Sequence, residues 1–163
     1  MDIRKFLIFT FAFFWLKELL SCPGMLEFVD ILQKAKRNYQ EKNYQEAFLY
    51  YEKIQNCPRF HSTEANLYEY SYTIYQYCKD KDILKECRTQ LLKSTSLLQK
   101  AIELLKPEDA FFDLLYERYF LLGHIYFELS QCLEAKKAFR KAYSFKKTNE
   151  AFQNWQNLQK LCP

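Results

Sequence analysis

Six cysteines, two histidines and 20 acidic side chains are the residues of this 163-residue sequence that could carry chemistry. Their spacing limits what that chemistry is. Cys22, Cys57, Cys78, Cys87, Cys132 and Cys162 contain no C-x-x-C pair, and His61 and His124 stand far apart with no H-x-x-x-H, so the ligand spacing of a zinc site is missing. The chain has only two glycines, Gly24 and Gly123, and shows neither a glycine-rich phosphate loop nor a nucleophile elbow. Its acids and histidines fall mostly on outward faces of helical patterns. No nucleophile, base and orienting group come together, so the expectation is a noncatalytic protein with no catalytic residue, metal or cofactor. Its formal charge of +4 is spread over interspersed signs, which disfavours a dedicated nucleic-acid binder. The basic cluster Lys136, Lys137, Arg140, Lys141, Lys146 and Lys147 reads as a solvated outer face whose lysines complement a helix C-terminus.

The cysteines leave more open. "MDIRKFLIFTFAFFWLKELLSCPG" begins with basic residues, runs through apolar residues from Phe6 to Leu16, and is too short to cross a bilayer, which needs about twenty apolar residues. Residues 1–22 therefore read as an export segment and 23–163 as the folded domain. Leu19-Leu20-Ser21-Cys22 resembles the lipobox of bacterial lipoproteins, although Lys17 and Glu18 interrupt the approach to it. That resemblance implies that Cys22 carries a lipid and anchors the chain in the cell envelope. Another kind of signal, an uncleaved anchor, or an additional N-terminal helix packed on a cytosolic domain are the alternatives. With Cys22 lipidated an odd number of cysteines remains, which is no disulfide framework. Cys78 and Cys87 flank the polar "KDKD": either they bridge across a turn, or they are small buried apolar residues.

The elements that would position these residues are helices. Glycine and proline are scarce and the apolar fraction is 49%, enough for a substantial core. Helical periodicity recurs in 25–43, 44–58, 62–78, 82–106, 108–130, 133–145 and 149–163, giving seven helices with short connections. The fourth carries Leu84, Leu91, Leu98 and Leu105 at heptad spacing and stops at Pro107, and acids open the fifth just after it.

Two of these stretches are copies. When Ala35 is placed over Gly123, "AKRNYQEKNYQEAFLYYEKI" aligns with "GHIYFELSQCLEAKKAFRKA": a small residue, an alanine twelve positions on (Ala47, Ala135), then an aromatic (Tyr51, Phe139) and a compact apolar residue (Ile54, Ala142). This unit resembles the tetratricopeptide repeat, a helix-turn-helix of about 34 residues. Tyr119, Leu122, Gly123, Tyr126, Ala135, Phe139 and Ala142 stand at its signature positions in the last copy, and Ala35, Tyr44, Ala47 and Tyr51 in the first. Ser71 is the small residue of a degenerate middle copy with a lengthened second helix.

The resemblance implies an all-α, short solenoid of about three hairpins plus a capping helix, "NEAFQNWQNLQK", closed by Ala151, Trp155 and Leu158. Ala35, Ala47, Ser71, Gly123, Tyr126, Ala135, Phe139 and Ala142 are then packing residues. At Gly123 the missing side chain would let paired helices touch, offsetting the helix cost of about 1 kcal/mol that glycine carries. Carried over from the family, Leu32, Lys36 and Tyr39, then Tyr68, Tyr72 and Tyr75, then Phe120, His124 and Phe127 would line an aromatic concave groove. Such a groove suits a peptide or amphipathic helix of another protein. Some tetratricopeptide domains grip acidic chaperone tails with a lysine, asparagine and arginine clamp, of which only Lys36 has a counterpart. The expected function is a protein-binding adaptor of the cell envelope. A structural subunit of a larger envelope complex and a cytosolic interaction module are the alternatives.

Overall fold

The computed structural model describes residues 22–105 and 112–162. The segment 1–22 read above as an export signal lies, Cys22 apart, outside the described residues, as do Pro107 and the acidic helix start expected after it. Among the described residues every regular element is helical. The chain divides into two compact units, residues 1–62 and 63–163.

The first unit is one hairpin. Helix α1 (Met25–Gln40) and helix α2 (Tyr44–Ile54) are followed by a 3-10 turn at Phe60–Ser62. Ala35, Ala47, Tyr51, Ile54 and Phe60 are fully buried, and the Phe60 ring meets Tyr51 edge-on at 5.8 Å. Burying side chains the size of Ile54 and Phe60 is worth about 1.5–3 kcal/mol each, while Ala35 and Ala47 contribute close approach, so the two helices hold by this stripe.

The second unit holds α3 (Glu64–Asp80), α4 (Arg88–Leu104), α5 (Phe112–Glu128), α6 (Cys132–Phe145) and α7 (Asn149–Leu161), each packed on the next, with α3 also touching α5. Thr148 caps α7, its Oγ1 accepting the Ala151 N–H at 3.2 Å. Ala151 and Leu158 are buried, and Trp155 packs on the core made by Ala135, Phe139, Leu158 and Cys162.

Helices α1, α3 and α5 stop in the same way. Lys42, Asp82 and Ser130 take left-handed φ values of 59°, 54° and 60°. The next residue's N–H then bonds a carbonyl five positions back, Asn43 to Asn38, Ile83 to Cys78 and Gln131 to Tyr126. This is a Schellman ending, made here by non-glycine residues. The stop at Asp82 corrects the expected fourth helix: it begins at Arg88, so Leu84 lies in the connection while Leu91 and Leu98 are buried in α4. Relative to the other hairpins the middle one has four more residues at the end of α3, four more in the connection and three more at the start of α4 before its own small residue, Ser94.

Cysteine pairing is the larger correction. All six cysteines are bridged: Cys22 to Cys57, Cys78 to Cys87, and Cys132 to Cys162, with Cα separations of 5.4, 6.0 and 5.9 Å. The chain does have a disulfide framework, and each bridge is local. The first joins the segment ahead of α1 to the segment after α2; the second closes the α3–α4 connection; the third ties the start of α6 to the end of α7. The Cys22 sulfur that the lipobox resemblance would give to a lipid is bonded here to that of Cys57.

Candidate functional site

Within the second unit, α3 presents Tyr68, Tyr72, Tyr75, Gln76 and Lys79 on one face, at helical spacings of three and four. Helix α5 presents Tyr116, Glu117, Phe120, Leu121 and His124 in the same manner, and α7 adds Glu150 from its first turn. Together they enclose a cleft of about 290 Å³.

The rings form a connected ladder. Tyr116 stacks on Phe120 at 5.4 Å, Phe120 meets His124 edge-on at 4.8 Å, and His124 lies 6.3 Å from Tyr75 across the cleft. Beneath them Phe139 of α6 meets both Phe120 and His124 edge-on, at 5.5 and 5.1 Å. The Phe139 ring is held in turn by Gly123. A Cβ there would come within 2.8 Å of the ring carbons, so the ring lies flat on the bare backbone of α5. Gly123 therefore supports the cleft floor from below. In the neighbouring hairpin Ser71 and Ser94, both fully buried, exchange hydrogen bonds: Ser71 Oγ donates to the Ser94 carbonyl at 3.0 Å, and Ser94 Oγ to the Ser71 carbonyl at 3.1 Å.

Burial sets the protonation of the floor. It is the main cause pushing the Tyr75 phenol up to about 12, with Glu128 and Tyr72 adding to it. Burial also lowers His124 below the ordinary imidazole value; Glu150 opposes this and Lys79 assists it. At neutral pH the cleft thus offers an uncharged imidazole and a protonated phenol.

Arg118, which the sequence reading passed over, is 4% exposed on α5. Its Nε donates to Glu64 at 2.5 Å, Nη1 donates to Glu117 at 2.7 Å, and its guanidinium lies 3.6 Å from the Tyr68 ring centroid. It fixes Tyr68 and one wall of the cleft. Tyr116, Gln76, Lys79, Glu117 and Glu150 also went unnoticed. For the α3 and α5 members the signal was available, since each lies three or four residues from a ring that was singled out. Glu150 comes from the capping helix and carried no such signal.

Five of the expected groove residues, Tyr68, Tyr72, Tyr75, Phe120 and His124, thus converge on one cleft, with Tyr75 as a buried floor. Phe127 does not: it lies outside the cleft and is 48% exposed. Lys36 and Tyr39 belong to α1 of the first unit, where Tyr39 meets Tyr44 edge-on at 6.4 Å. A second cleft of about 540 Å³ is framed by α4, α5 and α6, and two pairs of its polar side chains are engaged with each other, Lys137 with Glu134 at 2.9 Å and Gln99 with Tyr126 at 2.9 Å. Among the described residues no cluster of histidine, cysteine, aspartate or glutamate is arranged to hold a metal ion. In the basic cluster Lys137, Arg140, Lys141, Lys146 and Lys147 face solvent, Lys146 paired with Asp113 at 2.9 Å.

No protein-family model matches the sequence, and no curated protein does. Among solved structures, the fold is similar to the first tetratricopeptide domain of Spaghetti (RPAP3) bound to an HSP90 peptide, SRMEEVD. The TM-score is 0.59 at 14% identity, over 85% of this chain and 94% of that one. The fold is thus of the tetratricopeptide kind, an all-α array of helical hairpins.

Proposed function

We propose that this chain is a noncatalytic adaptor that binds a segment of another protein in the aromatic cleft of its second unit, and that it works after export into an oxidising compartment. The observation that carries the binding reading is the convergence of Tyr68, Tyr72, Phe120 and His124 on one cleft with a pre-arranged floor. Rings already fixed by their neighbours bury area on binding with little further entropy loss. The fold is compatible, because stacked helical hairpins commonly serve as binding surfaces.

Export is supported by the three bridges, since disulfides persist in secreted and periplasmic proteins and are rare in reducing cytosol. The apolar run from Phe6 to Leu16 agrees with it. The same pairing weighs against the cytosolic module. It also favours an export signal or a membrane-held N-terminus over lipid on Cys22.

A photo-crosslinking residue at Gln76, inside the cleft, should join the partner covalently, while the same group at Glu86, in the exposed α3–α4 connection, should not. Equal labelling from both positions, or from neither, would refute the cleft as the binding site. Tyr72→Ala should weaken the complex about tenfold with little change in thermal unfolding. Alkylation of the unreduced protein, recovered from its native compartment, should find no reactive thiol; six alkylated cysteines would place it in reducing surroundings.

A further inference from the structure

We infer that the segment taken by this cleft presents a large apolar side chain beside a lysine or arginine, and that acidic tails are turned away. This rests on the reading of the cleft as a protein-binding site. A volume of about 290 Å³ walled by rings has room for one or two large side chains and not for a whole element. That sets the apolar anchor.

The charges around it set the neighbour. Among the lining residues Lys79 is the one cation, against the carboxylates of Glu117 and Glu150. Arg118, whose guanidinium would otherwise suit a carboxylate, is buried and held between Glu64 and Glu117, a group whose sum is one negative charge. Lys146 reaches over Tyr116 at 5.8 Å but is paired with Asp113. Beyond the rim Glu128 is close enough to Tyr75 to act on its phenol. The histidine on the floor is neutral and adds no cation. An incoming carboxylate therefore meets excess negative charge and no fork of donors. A lysine or arginine meets Glu150 and the one negative charge left on the Arg118, Glu64 and Glu117 group, with ring faces beside them of the kind on which Arg118 already stacks at Tyr68.

A phage library of random twelve-residue peptides, selected on the full chain with its bridges formed, tests this. Binders should be enriched in a bulky apolar residue next to lysine or arginine, and should be lost on Tyr72→Ala and on Gln76→Trp, which fills the cleft without removing packing. For a synthetic selected peptide, replacing its basic residue by glutamine should weaken binding about threefold, as should Glu150→Gln, and the two changes together should cost no more than either alone. Enrichment of acidic residues, or affinity indifferent to Glu150→Gln, would overturn the charge inference while leaving the cleft reading standing. Binders indifferent to both Tyr72→Ala and Gln76→Trp, or no enrichment at all, would overturn both.

Discussion

The hairpin of α3 and α4 and the hairpin of α5 and α6 face one steric problem and solve it with different atoms. Two helices can approach closely only where the side chain at their crossing is small. In the first pair the crossing is polar: Ser71 and Ser94 each donate to the other's backbone carbonyl, so neither buried hydroxyl goes unsatisfied. In the second pair a side chain is missing altogether, and the Phe139 ring occupies the place where a Gly123 Cβ would stand. The crossing demands a small volume, and two chemistries supply it. Only the second supports the cleft, because Phe139 then braces Phe120 and His124.

Their covalent closures differ in the same way. The α3–α4 hairpin is stapled at its own turn, Cys78 and Cys87 being nine positions apart, whereas Cys132 at the start of α6 is tied to Cys162 beyond α7, thirty positions away. The longer loop restrains the unfolded chain more. Removing the bridge by Cys132→Ala with Cys162→Ala should cost about 4 kcal/mol, against about 3 kcal/mol for the Cys78 and Cys87 pair, measured by denaturant unfolding. Equal losses would mean that native packing, and not loop closure, governs the difference.

Next in size is the crossing itself. Gly123→Leu forces a side chain into the Phe139 ring and should lose about 3 kcal/mol. Combining it with Phe139→Ala should recover part of that loss, which a helix-propensity effect would not allow. Unchanged thermal unfolding of Gly123→Leu would remove Gly123 from the packing account. Ser71→Ala should cost far less, about 1 kcal/mol for one lost hydrogen bond, and Ser71→Ala with Ser94→Ala should lie near neutral because both partners go together. A double variant worse than the sum of the singles would mean that hydroxyl volume matters more than its bonds.

The comparison also shows what could be read in the sequence. Ala35, Ala47, Gly123 and Ala135 keep the same twelve-residue spacing, so the outer hairpins were visible as copies. The middle hairpin was visible only in part: its extra residues are divided among helix, connection and helix, and no fixed offset leads from Ser71 to Ser94. Of the three bridges only Cys78 to Cys87 was among the sequence alternatives; the other two were missed because a lipid on Cys22 left an odd number. Yet Cys22 and Cys57, like Cys132 and Cys162, flank a helical hairpin at its open end, a pattern that folding the antiparallel helices back on paper would have shown. In the cleft the ring positions followed from helical spacing, whereas Arg118 did not, since a charge reads as exposed until its two carboxylates and its ring are known.

The smallest effect separates the two walls of the cleft by pH. His124 on α5 has a lowered value, so the unfolded chain takes up a proton near pH 6.5 that the folded chain resists. The unfolded state binds more protons in that interval, and stability falls as pH drops below about 6.5 towards the folded value. Tyr75 on α3 behaves oppositely. Its phenol is pushed up to about 12, so the unfolded chain loses its proton first and stability falls as pH rises above about 10. Thermal unfolding of the full chain at pH 5, 7 and 10.5 should therefore show two shoulders. His124→Gln should flatten the acid one and leave the alkaline one, and Tyr75→Phe should leave the acid one and reduce the alkaline one, to which the Tyr126 phenol, also raised by burial, adds. If both variants kept both shoulders, the titrating groups would lie elsewhere, and the cleft floor would be more open to water than its ring contacts imply.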